Sequence, residues 1–126
     1  MIYKKEEEYK VGFYEDTKTG RNPVLEYISN LTDKEEVKIL KYINYLKVNK
    51  EVLDEPYSKH IKGKIRELRV DFSSNRHRIF YFTFVGRNII FLRAFLKKTQ
   101  KTPLEEIQKA ENNYYNVINY EKHKQK

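Results

Sequence analysis

Between residues 65 and 98 the chain holds three strand-like segments with charged and aromatic residues interleaved, broken only by two short turn sequences. No other feature constrains the fold as much. Ile65 to Phe72 alternates Arg66, Leu68, Val70 and Phe72 against Ile65, Glu67, Arg69 and Asp71. Ser73-Ser74-Asn75 is turn chemistry, and His77 to Val85 is a second strand. Gly86-Arg87-Asn88 is a second turn, and Ile89 to Lys97 or Lys98 is a third strand. Turns this short admit only antiparallel neighbours, because parallel strands need a long crossover connection.

The flanking residues read as helices with one further strand. Tyr9 to Tyr14 alternates weakly and predicts a short strand, followed by a turn-rich loop from Asp16 to Arg21. Asn22-Pro23 starts a helix, with Asn as N-cap and Pro at the first position, and offers Val24, Leu25, Ile28 and Leu31 to a core. Thr32-Asp33-Lys34-Glu35 is a capping box and starts a second helix at once. Behind it Val37, Ile39, Leu40, Ile43 and Leu46 recur at helical spacing. Residues 51–64 read as irregular, with Pro56 and Gly63. Thr102-Pro103-Leu104-Glu105 repeats the helix-start grammar, and Leu104, Ile107, Tyr114 and Ile118 give the last helix its apolar side. The predicted order is β-α-α-β-β-β-α, an α+β fold with a small antiparallel-rich sheet. A single domain over residues 1–126 is expected, fraying over 1–8 and from about 120.

Period-2 alternation divides the sheet into two faces. Leu68, Val70, Phe72, Ile79, Tyr81, Val85, Ile90, Leu92, Ala94 and Leu96 form a nearly uncharged face, expected to pack on the helical hairpin. The other face mixes Glu67, Arg69, Arg78, Phe80, Phe82, Phe84, Phe91, Arg93, Phe95 and Lys97. Its rings either stack on unpaired bases or lie under the C-terminal helix with only the charged rim wet. His77, at a strand start on the Tyr81 face, is either a rim residue or a general acid/base.

Charge follows the same segment. Residues 57–102 carry twelve Lys or Arg against Glu67 and Asp71, a surplus of ten in a chain of net charge +8. Such clustering among aromatic residues suits a polyanion, nucleic acid above all, or else is a solvated basic surface. The absence of Cys removes disulfides, thiol nucleophiles and Cys-based zinc sites, and fits a reducing cytoplasm. His60, His77 and His123 have no metal-ligand spacing, and the four Gly form no phosphate-cradling loop. No metal or cofactor is expected. The charged N-terminus is not a signal peptide, and no apolar run is long enough for a bilayer, so a soluble intracellular protein without membrane contact is expected.

Several runs resemble one family. Lys59-His60-Ile61-Lys62-Gly63-Lys64-Ile65-Arg66-Glu67-Leu68-Arg69 is similar to the K-x-L-x-G-x-x-x-E-L-R entry of HigB-type toxins, the phage-derived branch of the RelE superfamily. Arg78-Ile79-Phe80-Tyr81 resembles the family's Y-R-I-F-Y strand, with His77 where Tyr is usual. Phe95-Leu96-Lys97-Lys98-Thr99-Gln100-Lys101-Thr102-Pro103 resembles F-x-K-K-T-x-K-T-P, followed by E-I-x-x-A at Glu106 to Ala110. Asn22 to Ile28 resembles the usual first-helix start. The similarity covers about residues 9–112.

The resemblance implies a toxin of a type II toxin–antitoxin system, active in the cytoplasm as a metal-independent endoribonuclease. Such toxins cut mRNA in the A site of the 70S ribosome. They are neutralised by a cognate helix-turn-helix antitoxin of HigA type in a hetero-oligomeric complex. It also implies functional roles for the strand Arg at Arg78 and for Lys97 and Lys98. The same fold hosts ParE-like inhibitors of DNA gyrase, and a non-catalytic nucleic-acid-binding module is a third reading. Metal-free RNA cleavage needs a base, cations at the phosphate and an acid for the leaving oxygen. Arg78 and Arg69 are the expected phosphate clamps, with Lys97 or Lys98 as acid or clamp. Glu67 is either the base or an ion-pair partner that orients the arginines. Arg66, Lys64, Lys62, His77, Arg93, Lys101 and Phe80 are the further candidates for RNA contact.

Overall fold

The computed structural model describes residues 8–50, 56–85 and 87–124, excepting the side chains of 123 and 124. The expectations for residues 1–7, 51–55, Gly86 and 125–126 lie outside the described residues. The elements in chain order are β1 (Lys10–Phe13), α1 (Pro23–Ser29), α2 (Asp33–Val48), β2 (Ser58–Lys62), β3 (Ile65–Phe72), β4 (Asn75–Phe84), β5 (Asn88–Leu96) and α3 (Leu104–Lys124). They make an α+β fold on a five-stranded sheet ordered β1-β5-β4-β3-β2. The neighbours from β2 to β5 are antiparallel, while β1 runs parallel to β5.

The local signals place both early helices. The Asn22 side chain accepts the Leu25 N–H at 3.2 Å, and Thr32 Oγ1 accepts the Glu35 N–H at 3.3 Å. Each cap satisfies one of the donors that a helix start leaves without a partner. On α2, Ile39, Ile43 and Leu46 are buried, but Val37 and Leu40 are 64% and 44% exposed. The apolar stripe expected on this helix is thus split between a core side and a solvent side. The sequence predicts irregular chain where the structure has β2. It is an edge strand with exposed Lys59, His60 and Lys62, so it lacks the alternation that marks the inner strands. Its turn uses Gly63 at φ +56, where a side chain is strained.

The sheet lies between two cores. Leu68, Val70, Ile79, Tyr81, Ile89, Phe91 and Ala94 pack with Val24, Ile28, Ile39, Ile43 and Leu46 of α1 and α2. Ile65, Phe80, Phe82, Leu92, Phe95 and Ala110 form the second core, flanked by Ile107, Tyr114, Val117 and Ile118 of α3. Leu104, expected in that core, is 81% exposed. The alternation assigns every residue of β3 and β4 in these cores correctly and fails on the first half of β5. Phe91 faces the helical hairpin, whereas Ile90 and Leu92 face α3, the reverse of the expectation. The cause is a β-bulge. Phe80 opposes Arg93 and Tyr81 opposes Phe91, which leaves Leu92 as an extra residue. One extra residue inverts the parity of everything before it. No helix among the described residues is long and apolar enough to cross a membrane.

Candidate anion-binding site

Three strands bring six charged side chains together on the α3 face of the sheet. Glu67, Arg69 and Asp71 share one side of β3 by alternation. Register then sets Arg69 opposite Arg78 and Asp71 opposite Arg76. The ladder continues past β5, where the Lys97 N–H donates to the Arg76 carbonyl at 2.8 Å, so Lys97 joins the group. Like charges directly opposite each other are unfavourable, and here Arg69 and Arg78 are each paired with a carboxylate. Arg69 Nε donates to Glu67 Oε1 at 3.1 Å. Arg78 Nη1 donates to Asp71 Oδ1 at 2.8 Å and to the His77 carbonyl at 2.9 Å.

Burial makes this arrangement costly unless it serves something. Glu67 is fully buried, and Arg78 is 5% and Lys97 8% exposed. Arg78 Nε is buried without a hydrogen-bond partner among the described residues, a deficit of about 1–3 kcal/mol. Lys97 Nζ makes no hydrogen bond among the described residues. Burial, opposed by the nearby Glu67 carboxylate, lowers the Lys97 pKa below the ordinary amine value, and Arg69, Arg78 and Arg76 lower it further. Among the described residues the cluster sets Arg69, Arg76, Arg78 and Lys97 against Glu67 and Asp71, a surplus of two positive charges, with Arg78 and Lys97 buried, Arg69 half-buried and Arg76 and Asp71 exposed. A phosphate is the chemistry such a surplus accommodates.

Glu67 has both oxygens engaged. Its Oε2 accepts the Thr102 hydroxyl at 3.3 Å while Oε1 accepts from Arg69. Of the two sequence readings of Glu67, the structure shows the ion pair that orients its neighbours. Thr102 was expected to cap α3. Instead its hydroxyl turns to Glu67, and the Pro103 carbonyl accepts the first helical bonds from Glu106 and Ile107. The loop that carries Lys97 to Lys101 is thereby tied to the sheet.

The other candidates scatter. Lys98 and Lys101 are exposed on this same loop. Lys64 lies in the β2–β3 turn, about 10 Å along the strand from Glu67, and Lys62 Nζ is held by Glu111 Oε1 at 3.1 Å. Arg93 is paired with Glu106 of α3 at 2.8 Å, outside the cluster. Arg66 lies half-buried on the hairpin side, away from the cluster, where it donates to the Tyr81 and Ser58 hydroxyls at 3.3 Å each. Two expectations are corrected. Phe80 is fully buried against Phe95, ring centroids 5.3 Å apart, so it has no face open to a base. His77 is neither rim residue nor RNA contact, because α1 and α2 cover it.

His77 belongs to a buried network that the sequence reading missed. Its Nε2 lies 2.6 Å from Glu35 Oε2, and its Nδ1 lies 2.7 Å from the Tyr27 hydroxyl. Asn75 Nδ2 donates to Glu35 Oε2 at 3.1 Å, and the Thr32 hydroxyl donates to Oε1 at 2.9 Å. The hydrogen bond to His77, followed by that from Thr32, holds the Glu35 carboxyl below the ordinary carboxylate value. Burial, with a smaller effect of Glu35, pushes the Tyr27 hydroxyl up to about 12. A hydroxyl so reluctant to ionise beside an inaccessible imidazole is a structural tie between α1, α2 and β4. The capping-box Glu35 was the available sequence signal. Asp71, Arg76 and Thr102 were missed as members of the anion site; only the strand register assembles them. Among the described residues no three His, Asp or Glu side chains form a metal-ligand set.

A family model described as phage-derived protein Gp49-like (DUF891) matches residues 26–115, more than half of the chain. That span contains α2, the whole β2–β5 sheet and every member of the charged cluster. No curated protein matches the sequence significantly.

Proposed function

The chain belongs to the phage-derived Gp49-like family, a toxin-like family of the RelE/HigB type, and from that premise we propose that it is the toxin of a type II toxin–antitoxin pair. Its activity in this reading is endonucleolytic cleavage of mRNA in the ribosomal A site, in the cytoplasm, with a helix-turn-helix antitoxin as its neutralising partner. The observation that carries the reading is the cluster of Arg69, Arg76, Arg78 and Lys97, with two positive charges left over and a loose Arg78 donor.

The cluster supports the chemistry in the following way. In RNA self-cleavage the 2′-hydroxyl gives its proton to water as its oxygen attacks the adjacent phosphorus, the 5′-oxygen leaves and takes up a proton, and negative charge builds on the phosphoryl oxygens between the two events. Arg78 and Arg69 supply forked donors for those oxygens. Lys97 gives up a proton more readily than an ordinary lysine, because burial disfavours its charged form. This suits an acid for the departing 5′-oxygen. Glu67 is a positioning residue for Arg69 and for the Lys97–Thr102 loop.

The test is a defined mRNA on purified 70S ribosomes with an empty A site, read by primer extension. Wild type is expected to cut within the A-site codon. Lys97→Ala and Arg69→Lys, each confirmed folded by circular dichroism, are expected to lower the rate at least about 100-fold, the scale of a lost transition-state donor. Arg87→Ala, at the distant β4–β5 turn, leaves it within a few-fold. Equal effects at all three positions would reduce the site to general electrostatics. Growth arrest without cleavage would move the target to gyrase.

A further inference from the structure

Arg78 is held from one side by a group that is free to leave. The Asp71 side chain that binds its Nη1 is 62% exposed, while the guanidinium side chain is 6% exposed. The two ends of this ion pair are therefore unequal. Asp71 is a short side chain whose carboxylate swings into water by one torsion. Its backbone stays in place, because Lys38 Nζ donates to its carbonyl from the hairpin side. Arg78 cannot follow. Its Nη1 also donates to the His77 carbonyl at 2.9 Å, and the burial of the side chain fixes the rest. When Asp71 departs, an anchored guanidinium remains with a free direction at Nη1 and an Nε donor that has no hydrogen-bond partner among the described residues.

We propose that Asp71 is an internal stand-in for the phosphate of the RNA strand, occupying Arg78 in the free protein and displaced when the substrate arrives. This rests on the RNA reading of the site given above. The stand-in keeps Arg78 oriented before binding, and it sets a threshold that an incoming anion must exceed. A phosphate within a strand passes that threshold because neighbouring phosphates engage Arg69, Arg76 and Lys97 together. A small free anion lacks that help. Asp71 is then a residue that determines specificity and does no chemistry on the substrate.

The experiment measures binding of a 5′-fluorescein single-stranded RNA, 2′-O-methylated throughout so that it is not cut, by anisotropy at constant salt. Asp71→Asn is compared with wild type and with Glu26→Gln. The latter removes the same charge from an exposed pair with Arg21 on α1. Asp71→Asn is expected to tighten binding about 10-fold, Glu26→Gln less than twofold, and Arg78→Lys in the Asp71→Asn background to abolish the gain. Circular dichroism confirms the fold of each variant. Equal tightening by Asp71→Asn and Glu26→Gln would overturn the proposal, since net charge alone would explain it. Weaker binding by Asp71→Asn would overturn it too, since Asp71 would then be a buttress for Arg78. In both cases wild-type binding that Lys97→Ala weakens leaves the RNA reading standing. No binding by any of the proteins overturns the proposal, and A-site cleavage on 70S ribosomes then decides the RNA reading by itself.

Discussion

Replacing Glu67 by Ala removes the only carboxylate buried within the cluster and leaves two cations without it. Arg69 retains some water, since 23% of its side chain is exposed, whereas Lys97 is 8% exposed. Removing one partner of a buried pair costs about 3–5 kcal/mol, and the partial exposure of Arg69 brings the expectation to about 3. An unfolding entropy of about 2.1 cal/mol/K per residue over 126 residues gives about 0.26 kcal/mol/K, so the loss lowers Tm by about 11 °C. Calorimetry on Glu67→Ala and on the isosteric Glu67→Gln reads this directly. Glu67→Gln keeps an acceptor for Arg69 and is expected to lose less. Glu67 is also the group that draws the Lys97 pKa upward against burial, so both variants move the Lys97 titration further down, which a 15N NMR titration of Lys97 Nζ follows. A stability loss below about 1 kcal/mol for Glu67→Ala, with an unmoved Lys97, would refute the coupling of these three groups.

Further expectations concern the tie among α1, α2 and β4 and the core under α3. Tyr27→Phe leaves His77 Nδ1 buried without its 2.7 Å partner and is expected to cost about 1–3 kcal/mol in urea unfolding, with no effect on RNA binding. The Glu35 carboxyl titrates below its unfolded value of 4.5, so the unfolded chain binds the proton first as pH falls. Its contribution is therefore complete above that value and is lost as pH drops through the depressed folded pKa. Glu35→Gln is expected to flatten this acid limb of stability against pH, and an unchanged limb would assign it elsewhere. Phe80→Leu is expected to cost about 1–2 kcal/mol through lost core volume while leaving ribosome-dependent cleavage within a few-fold. A large cleavage defect in a stably folded Phe80→Leu would show that its ring reaches substrate after all.

Much of the fold was legible because its signals are local. Asn22-Pro23 and Thr32 act on backbone groups three residues away, so the two helix starts follow from neighbouring residues alone. The faces of β3 and β4 follow from alternation, which needs only an unbroken pleat. The same rule failed on β5, because the extra residue at Leu92 is a property of the β4–β5 pairing. It failed to find β2 because an edge strand with charged residues carries little alternation.

The site divides in the same way. Sequence alone determined that Glu67 and Arg69 share a face, that positive charge concentrates within residues 57–102, and that the last strand ends near Lys97 or Lys98. Tertiary structure decided which of those charges meet. Asp71 reaches Arg78 only because the two-residue turn at Ser73 and Ser74, with Ser73 at φ +54, sets Asp71 diagonally across from it. Phe80 and His77 were removed from the surface by α3 and by the α1–α2 hairpin, elements far away in the chain. Caps and pleats arise from bonds between near neighbours, and a reader of the sequence can follow them. Burial and cross-strand pairing depend on register and on what lies over the sheet, and these are set only when distant segments pack together.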